Sequence, residues 1–336
     1  MWKPILLAML SLASAAAAQD YPKIDLVPGY IVDPDWPRER AEKPWGEMSG
    51  AAIDRDGNIW TLNRSETPVQ VFSPDGKLLQ TWPNEHVKKG HQIRFDRDGK
   101  LWITDLVLHV VRKFDPTTGK LLLTIGTPGE SGTDETHLNQ PTDIAIAANG
   151  DAFISDGYGN NRIVHCDAAG KFIKSWGAMG VKEGEFSLPH SIAIDSKGKL
   201  YVADRNNCRV QVFDQAGKFL RAWSGKMVPW TLYITDQDDI YVVGSSPAQW
   251  PKRGGGKHLG VPPRDQIVMR INPNLEILNW WAFAFQPDAK AVKPGELCWV
   301  HALTVNSKGD LYLGDIQGKR IQKFLFNGSG KVVETN

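Results

Sequence analysis

Six stretches of this chain align with one another without an internal gap: SGAAIDRDGNIWTLNR (49–64), HQIRFDRDGKLWITDL (91–106), TDIAIAANGDAFISDG (142–157), HSIAIDSKGKLYVADR (190–205), WTLYITDQDDIYVVGS (230–245) and HALTVNSKGDLYLGDI (301–316). Each holds a short alternating apolar run, a polar turn and a second run with an aromatic, which is the pattern of a β-hairpin. Gly57, Gly99, Gly150, Gly198 and Gly309 mark five of the turns. In the fifth copy Asp238 stands there, a residue type that tolerates positive φ. A second hairpin follows most copies, as in RIVHCDAAGKFIKSWG (162–177) and RVQVFDQAGKFLRAWS (209–224). Four antiparallel strands repeated six times predict an all-β fold, a six-bladed β-propeller. Closing the ring removes the exposed strand edges that a solenoid, the runner-up, would keep.

Composition limits the partners. The formal net charge is +1 over 336 residues, which gives no electrostatic case for nucleic acid or a membrane surface. A small-molecule or peptide substrate and a monomeric state are expected instead. Lys3, the apolar stretch Ile5 to Leu12 and the small residues Ala15 to Ala18 read as a signal peptide over 1–18, cut after Ala18. The mature protein is therefore expected to be exported, periplasmic or secreted. No later segment is apolar enough to span a bilayer. Residues 19–46 read as an N-terminal segment leading into a propeller of 47–336. The Gly- and Pro-rich stretch 245–266 reads as a loop rather than a further blade. Cysteines 166, 208 and 298 are an odd count, so at least one thiol stays unpaired within the chain.

The first residues of the six copies are Ser49, His91, Thr142, His190, Trp230 and His301. Histidine thus occupies alternate copies, a pattern with chance odds of about one in a thousand. Alternate blades of a six-fold ring lie about 120° apart, so three imidazoles on the innermost strands would converge on the axis. Three neutral imidazoles with an open fourth position describe a catalytic zinc site, and copper, iron or nickel also accept such donors. Channel histidines bonded only to water or backbone are the plainer alternative. Trp230 shares the histidine register and Trp299 lies two residues before His301, so either could narrow the pocket. Asp105, Asp156, Asp204 and Asp315 recur at one register and are expected to satisfy backbone groups at strand ends.

Several strings carry a family resemblance: LWITDLVLHVVRKFDP (101–116), NQPTDIAIA (139–147), SDGYGNNRIV (155–164), LPHSIAI (188–194) and VADRNNCRVQVF (202–213). With the three histidines they resemble the peptidyl-α-hydroxyglycine α-amidating lyases, a branch of the NHL-repeat propellers. The resemblance implies zinc on His91, His190 and His301. It implies a catalytic tyrosine at Tyr158 and active-site arginines at Arg64 and Arg205. It also implies a calcium ion in the channel, bound in part by backbone oxygens at Ala51 and Ile93. There the chain departs from the pattern. The family's carboxylate after the third histidine is Ala302, its methionine two residues before that histidine is Trp299, and the cysteine beside its tyrosine is Gly159. A calcium site that loses a carboxylate is seriously weakened, so zinc is expected and calcium is not.

The implied reaction cleaves the C–N bond of a carbinolamide, giving an amide and glyoxylate. Tyr158 would act as the base, and Arg64 and Arg205 would hold the carboxylate. The alternative is a non-catalytic NHL propeller that binds a protein, peptide or glycan in the cell envelope. A lactonase-type calcium propeller is a third possibility, for which the sequence offers no matching channel carboxylates.

Overall fold

The structure, a computed structural model, describes residues 29–39, 44–83, 85–247 and 266–328. The 1–18 leader and most of the 245–266 stretch lie outside the described residues. The described chain forms six antiparallel sheets in a ring. Blade 1 holds β2 (Met48–Ile53), β3 (Ile59–Asn63), β4 (Val69–Phe72) and β5 (Leu78–Trp82). Blade 2 holds β6 (Gly90–Phe95), β7 (Leu101–Asp105), β8 (Val110–Phe114) and β9 (Leu121–Ile125). Blade 3 holds β10 (Asp143–Ile146), β11 (Ala152–Asp156), β12 (Arg162–Cys166) and β13 (Phe172–Trp176). Blade 4 holds β14 (Pro189–Ile194), β15 (Leu200–Asp204), β16 (Arg209–Phe213) and β17 (Phe219–Ser224). Blade 5 holds β18 (Val228–Ile234), β19 (Ile240–Ser245), β20 (Gln266–Ile271) and β21 (Ile277–Phe285), with β22 (Glu296–Leu297) added in parallel.

Blade 6 is built from both ends of the chain. Its inner strands are β23 (Val300–Val305), β24 (Leu311–Asp315) and β25 (Arg320–Asn327), and its outer strand is β1 (Gly29–Asp33), paired from Gly29↔Asn327 to Asp33↔Lys323. The division expected at residue 47 therefore leaves out a strand of the propeller. β1 lies on the outer side of β25, so a strand from the N-terminal part of the chain completes this sheet and closes the ring. Tyr30 on β1 meets Trp281 of blade 5 edge to face, with centroids 4.8 Å apart.

The local chemistry of the hairpins matches the sequence pattern. Asp54, Asp96, Asp195 and Asn306 each accept backbone N–H bonds from two and four residues ahead, the Asx geometry that nucleates a tight turn. Asp238 takes positive φ at 63°. The innermost strands of blades 1 to 5 are buried except at their ends away from the histidine register, whereas β13, β17 and β21 alternate towards solvent. The core is a series of layers between blades, one of which joins Trp60, Trp82, Ile93 and Phe114 of blades 1 and 2. Trp82, Trp176 and Trp223 lie at the ends of outer strands, consistent with blade packing. Cys166, Cys208 and Cys298 are all free thiols. No helix of the described residues is long and apolar enough to cross a membrane.

Candidate metal centre and active site

The histidine register lies on a β-bulge. In blade 4, Pro189 pairs with Asp204 and Ser191 with Ala203, which leaves His190 as the extra residue. In blade 6, Val300 pairs with Asp315 and Ala302 with Gly314, leaving His301. Blades 1 and 5 bulge in the same way at Ser49 and Trp230, and blade 2 bulges between Gly90 and Ile93, around His91. A bulge re-aims a side chain and releases its backbone from the ladder. Both consequences are used here. Each imidazole turns to the axis, and the register carbonyl of each odd-numbered blade, released by a bulge in blades 1 and 5 and lying just before β10 in blade 3, accepts a hydrogen bond from the histidine of the blade before it. His91 Nδ1 lies 2.6 Å from the Thr142 oxygen, His190 Nδ1 2.6 Å from the Trp230 oxygen, and His301 Nδ1 2.8 Å from the Ser49 oxygen.

A carbonyl only accepts, so each Nδ1 carries the proton and each Nε2 keeps its lone pair. The three rings are buried, with centroids 4.7, 4.8 and 5.0 Å apart. One ligand atom from each lies within 4.8 Å of the others, a group that could hold a metal ion. Burial, foremost, pushes the pKa of His91 and His190 well below the usual imidazole range, and that of His301 down to about 3. The remaining depression comes from neighbouring imidazoles around His91 and His190 and from Arg64 and Arg205. Neutral imidazoles with Nδ1 anchored are the form that ligates a metal.

The strand-end aspartates hold the loops that deliver these histidines. Asp105 accepts from Lys88 and Lys89, just before His91. Asp204 accepts from Ser187, before His190. Asp315 accepts from Cys298 and Trp299, before His301. Their expected structural role is the observed one.

Tyr158, Arg205 and Arg64 sit at the same mouth. The Tyr158 hydroxyl lies 3.4 Å from His91 Nε2 and 3.2 Å from His190 Nε2. The residue keeps 36% of its surface exposed, so it forms a wall between the centre and solvent. Gly157 allows this approach: a Cβ there would stand 2.1 Å from the Pro189 oxygen on the neighbouring blade. Burial raises the Tyr158 phenol above its ordinary value, and Arg205 and Arg64 pull against that rise. Arg205 sits close enough to the phenol to pull its pKa down, and its guanidinium carbon lies 4.0 Å from the centre of the Trp230 ring. It does not pair with the adjacent Asp204, whose carboxylate is taken by Arg209, Asn207 and Gln211. Arg64 pairs with Glu47 and donates to the Gly90 oxygen beside His91. A groove of about 450 Å3 opens there, lined by Arg64, Glu47, Lys88, Lys89 and Lys319. Its basic character suits an anionic guest.

Trp230 is buried beneath Arg205, and Trp299 meets it edge to face at 5.0 Å. The pair therefore forms one wall of the site, as its position in the sequence suggests. Two features escape sequence reasoning. One is Glu47, which lies outside the repeat segments. The other is a polar cluster one layer down the channel that includes Asp143, a channel carboxylate that the sequence reading did not identify. Its signal was present, since Asp143 directly follows the register residue Thr142.

Comparison with known proteins follows the same lines. Residues 186–213 match the NHL repeat family. The chain is 28% identical over 322 residues to the peptidyl-glycine alpha-amidating monooxygenase of Mus musculus, an alignment covering 86% of this chain and 31% of the mouse protein. It thus spans about a third of that relative's length. It is 27% identical over 312 residues to a probable peptidyl-alpha-hydroxyglycine alpha-amidating lyase of Caenorhabditis elegans, covering 83% of this chain and 82% of the nematode protein. Among solved structures, a streptogramin B lyase superposes with a TM-score of 0.58 at 14% identity, covering 85% of this chain and 96% of that one. That last likeness is one of fold alone.

Proposed function

We propose that this NHL-repeat propeller, similar over most of its length to peptidyl-α-hydroxyglycine α-amidating lyases, is an exported zinc-dependent lyase of the same reaction class. The observation that carries the reading is the convergence of the Tyr158 hydroxyl on His91 Nε2 and His190 Nε2, with the Arg205 charge near enough to lower the same phenol. His91, His190 and His301 would hold the zinc, since all three present an unprotonated nitrogen. A zinc ion so held supplies Lewis-acid chemistry, lowering the pKa of a hydroxyl brought to it.

The chain's own residues do the rest. Arg205, stiffened by the Trp230 face, holds the carboxylate of an α-hydroxyglycine end. Arg64 stands on the opposite side, already partly neutralised by Glu47, and helps to orient that group. Tyr158 accepts the hydroxyl proton of the carbinolamide. As the O–H electrons form the aldehyde carbonyl, the C–N bond breaks and its electron pair leaves with the amide nitrogen. That nitrogen takes up a proton, so amide and glyoxylate form with no net change in protons. Two cationic arginines already lower the phenol against the effect of burial, and a metal cation would add to their pull.

The test is glyoxylate release from an N-acyl-α-hydroxyglycine by purified, zinc-loaded protein. Turnover that requires zinc is expected. A zinc-loaded protein that binds this compound but releases no glyoxylate would reject the lyase and leave a binding propeller.

A further inference from the structure

One layer below the histidines, the channel is crossed by side chains of its own. Blades 2 and 5 face each other across a six-membered ring, and two residues of β6 reach from one to the other. Gln92 Nε2 donates to Thr231 Oγ1 at 3.2 Å. Arg94 Nη2 donates to the Leu232 oxygen at 3.1 Å. The same guanidinium grips Asp143 of blade 3 with two bonds, Nε to Oδ1 at 3.0 Å and Nη2 to Oδ2 at 2.7 Å. Asp143 is wholly buried. It also accepts from Ser191 Oγ at 2.5 Å, from the Ile192 amide at 3.2 Å and from its neighbour's amide, Ile144, at 2.8 Å. Ser191 Oγ in turn accepts from the Leu232 amide at 3.0 Å. One buried ion pair therefore ties blades 2, 3, 4 and 5 together at the axis.

The donors present do not fit the calcium that the family resemblance implies. Calcium takes six to eight oxygens, with carboxylates prominent among them. Position 302 is an alanine whose side chain packs with Met48, Ala51 and Tyr312 in an apolar layer. The carboxylate that the channel does hold, Asp143, is already saturated by a guanidinium and three further donors. An ion at this level would have to displace Arg94 and leave its charge buried without a partner, which is costly.

We propose that the Arg94 guanidinium is the resident cation of this channel, and that the fold needs no calcium. The claim is independent of the lyase reading, because it concerns a different layer and is read by metal content and stability rather than by turnover. Calorimetric titration of the full chain with calcium chloride is expected to show no binding, and millimolar calcium is expected to shift the melting temperature by less than about 1 °C. Arg94→Ala leaves Asp143 buried without its partner and should lower the melting temperature on the order of 10 °C. It also exposes Asp143, the Leu232 oxygen, Ser191 and Gln92 as an oxygen-donor set, so millimolar calcium should restore part of the loss, whereas magnesium should restore less. Stoichiometric calcium in the wild-type protein would overturn the proposal. So would an Arg94→Ala variant that melts like wild type, or one whose loss calcium does not relieve. Should that variant fail to fold, the wild-type titration decides alone.

Discussion

Two layers of one channel solve opposite problems. At the mouth, three imidazoles are held neutral, with their lone pairs inward and their protons committed to backbone oxygens. One layer down, the charged Arg94 and Asp143 neutralise each other and leave few donors free. The first layer could receive a cation, and the second already contains one. Both rest on the same inner strands, only one to three residues apart in the chain. Reactivity in this fold is therefore decided by which groups the layer itself satisfies. A layer whose donors are matched internally is structural, whereas a layer with three imidazole nitrogens turned to one point beside a phenol and two cations is a candidate site.

The largest effect expected from breaking this contrast is at the mouth. His190→Ala removes one of three ligands and should abolish stoichiometric zinc, read by elemental analysis of the purified protein. Full zinc retention in a triple alanine variant of the histidines would show that the mouth is not the metal centre. Tyr158→Phe should leave zinc in place and lower turnover of an α-hydroxyglycine substrate by about 10²-fold or more, since only the proton acceptor is lost. Unchanged turnover would take Tyr158 out of the chemistry. Trp230→Phe retains an aromatic face for Arg205, whereas Trp230→Leu does not. The leucine variant should raise KM on the order of tenfold with kcat less affected, and the phenylalanine variant should recover most of it. Equal KM values for the two would mean that the stacked face does not position Arg205.

The smallest effect is the most specific. At the register positions Ser49, Thr142 and Trp230 the odd-numbered blades offer carbonyl oxygens to the histidine Nδ1 atoms. Ser49→Ala should therefore leave zinc content unchanged. It should cost only about 1 kcal/mol of stability, from the loss of the hydroxyl bond to Gly90, measured by denaturant unfolding. Loss of zinc in this variant would show that the side chain, rather than the bulged backbone, anchors His301.

What the sequence by itself determined is whatever depends on periodicity and local turn chemistry. The alternation of apolar residues, the Asx turns and the six gapless copies define the hairpins, the blade count and the all-β class, because these are short-range preferences repeated six times. The histidine register is legible for the same reason: equivalent positions in a ring converge. Tyr158 and Arg205 are implied by the family resemblance, and an antiparallel hairpin, which brings the end of its second strand beside the start of its first, accounts for their place near the histidines. Only the tertiary structure decided what lies between blades. That β1 from the N-terminus completes blade 6 depends on ring closure over nearly the whole chain. That Ser49, Thr142 and Trp230 serve through their carbonyls depends on backbone geometry, a bulge at Ser49 and Trp230 and a strand start at Thr142, which leaves no mark in residue type. That Arg205 lies on Trp230 instead of pairing with Asp204 depends on which groups had already claimed that carboxylate. And that Arg94 reaches across the axis to Asp143 and Leu232 depends on the channel being narrow enough for one guanidinium to bridge it, a distance that no alignment of repeats contains.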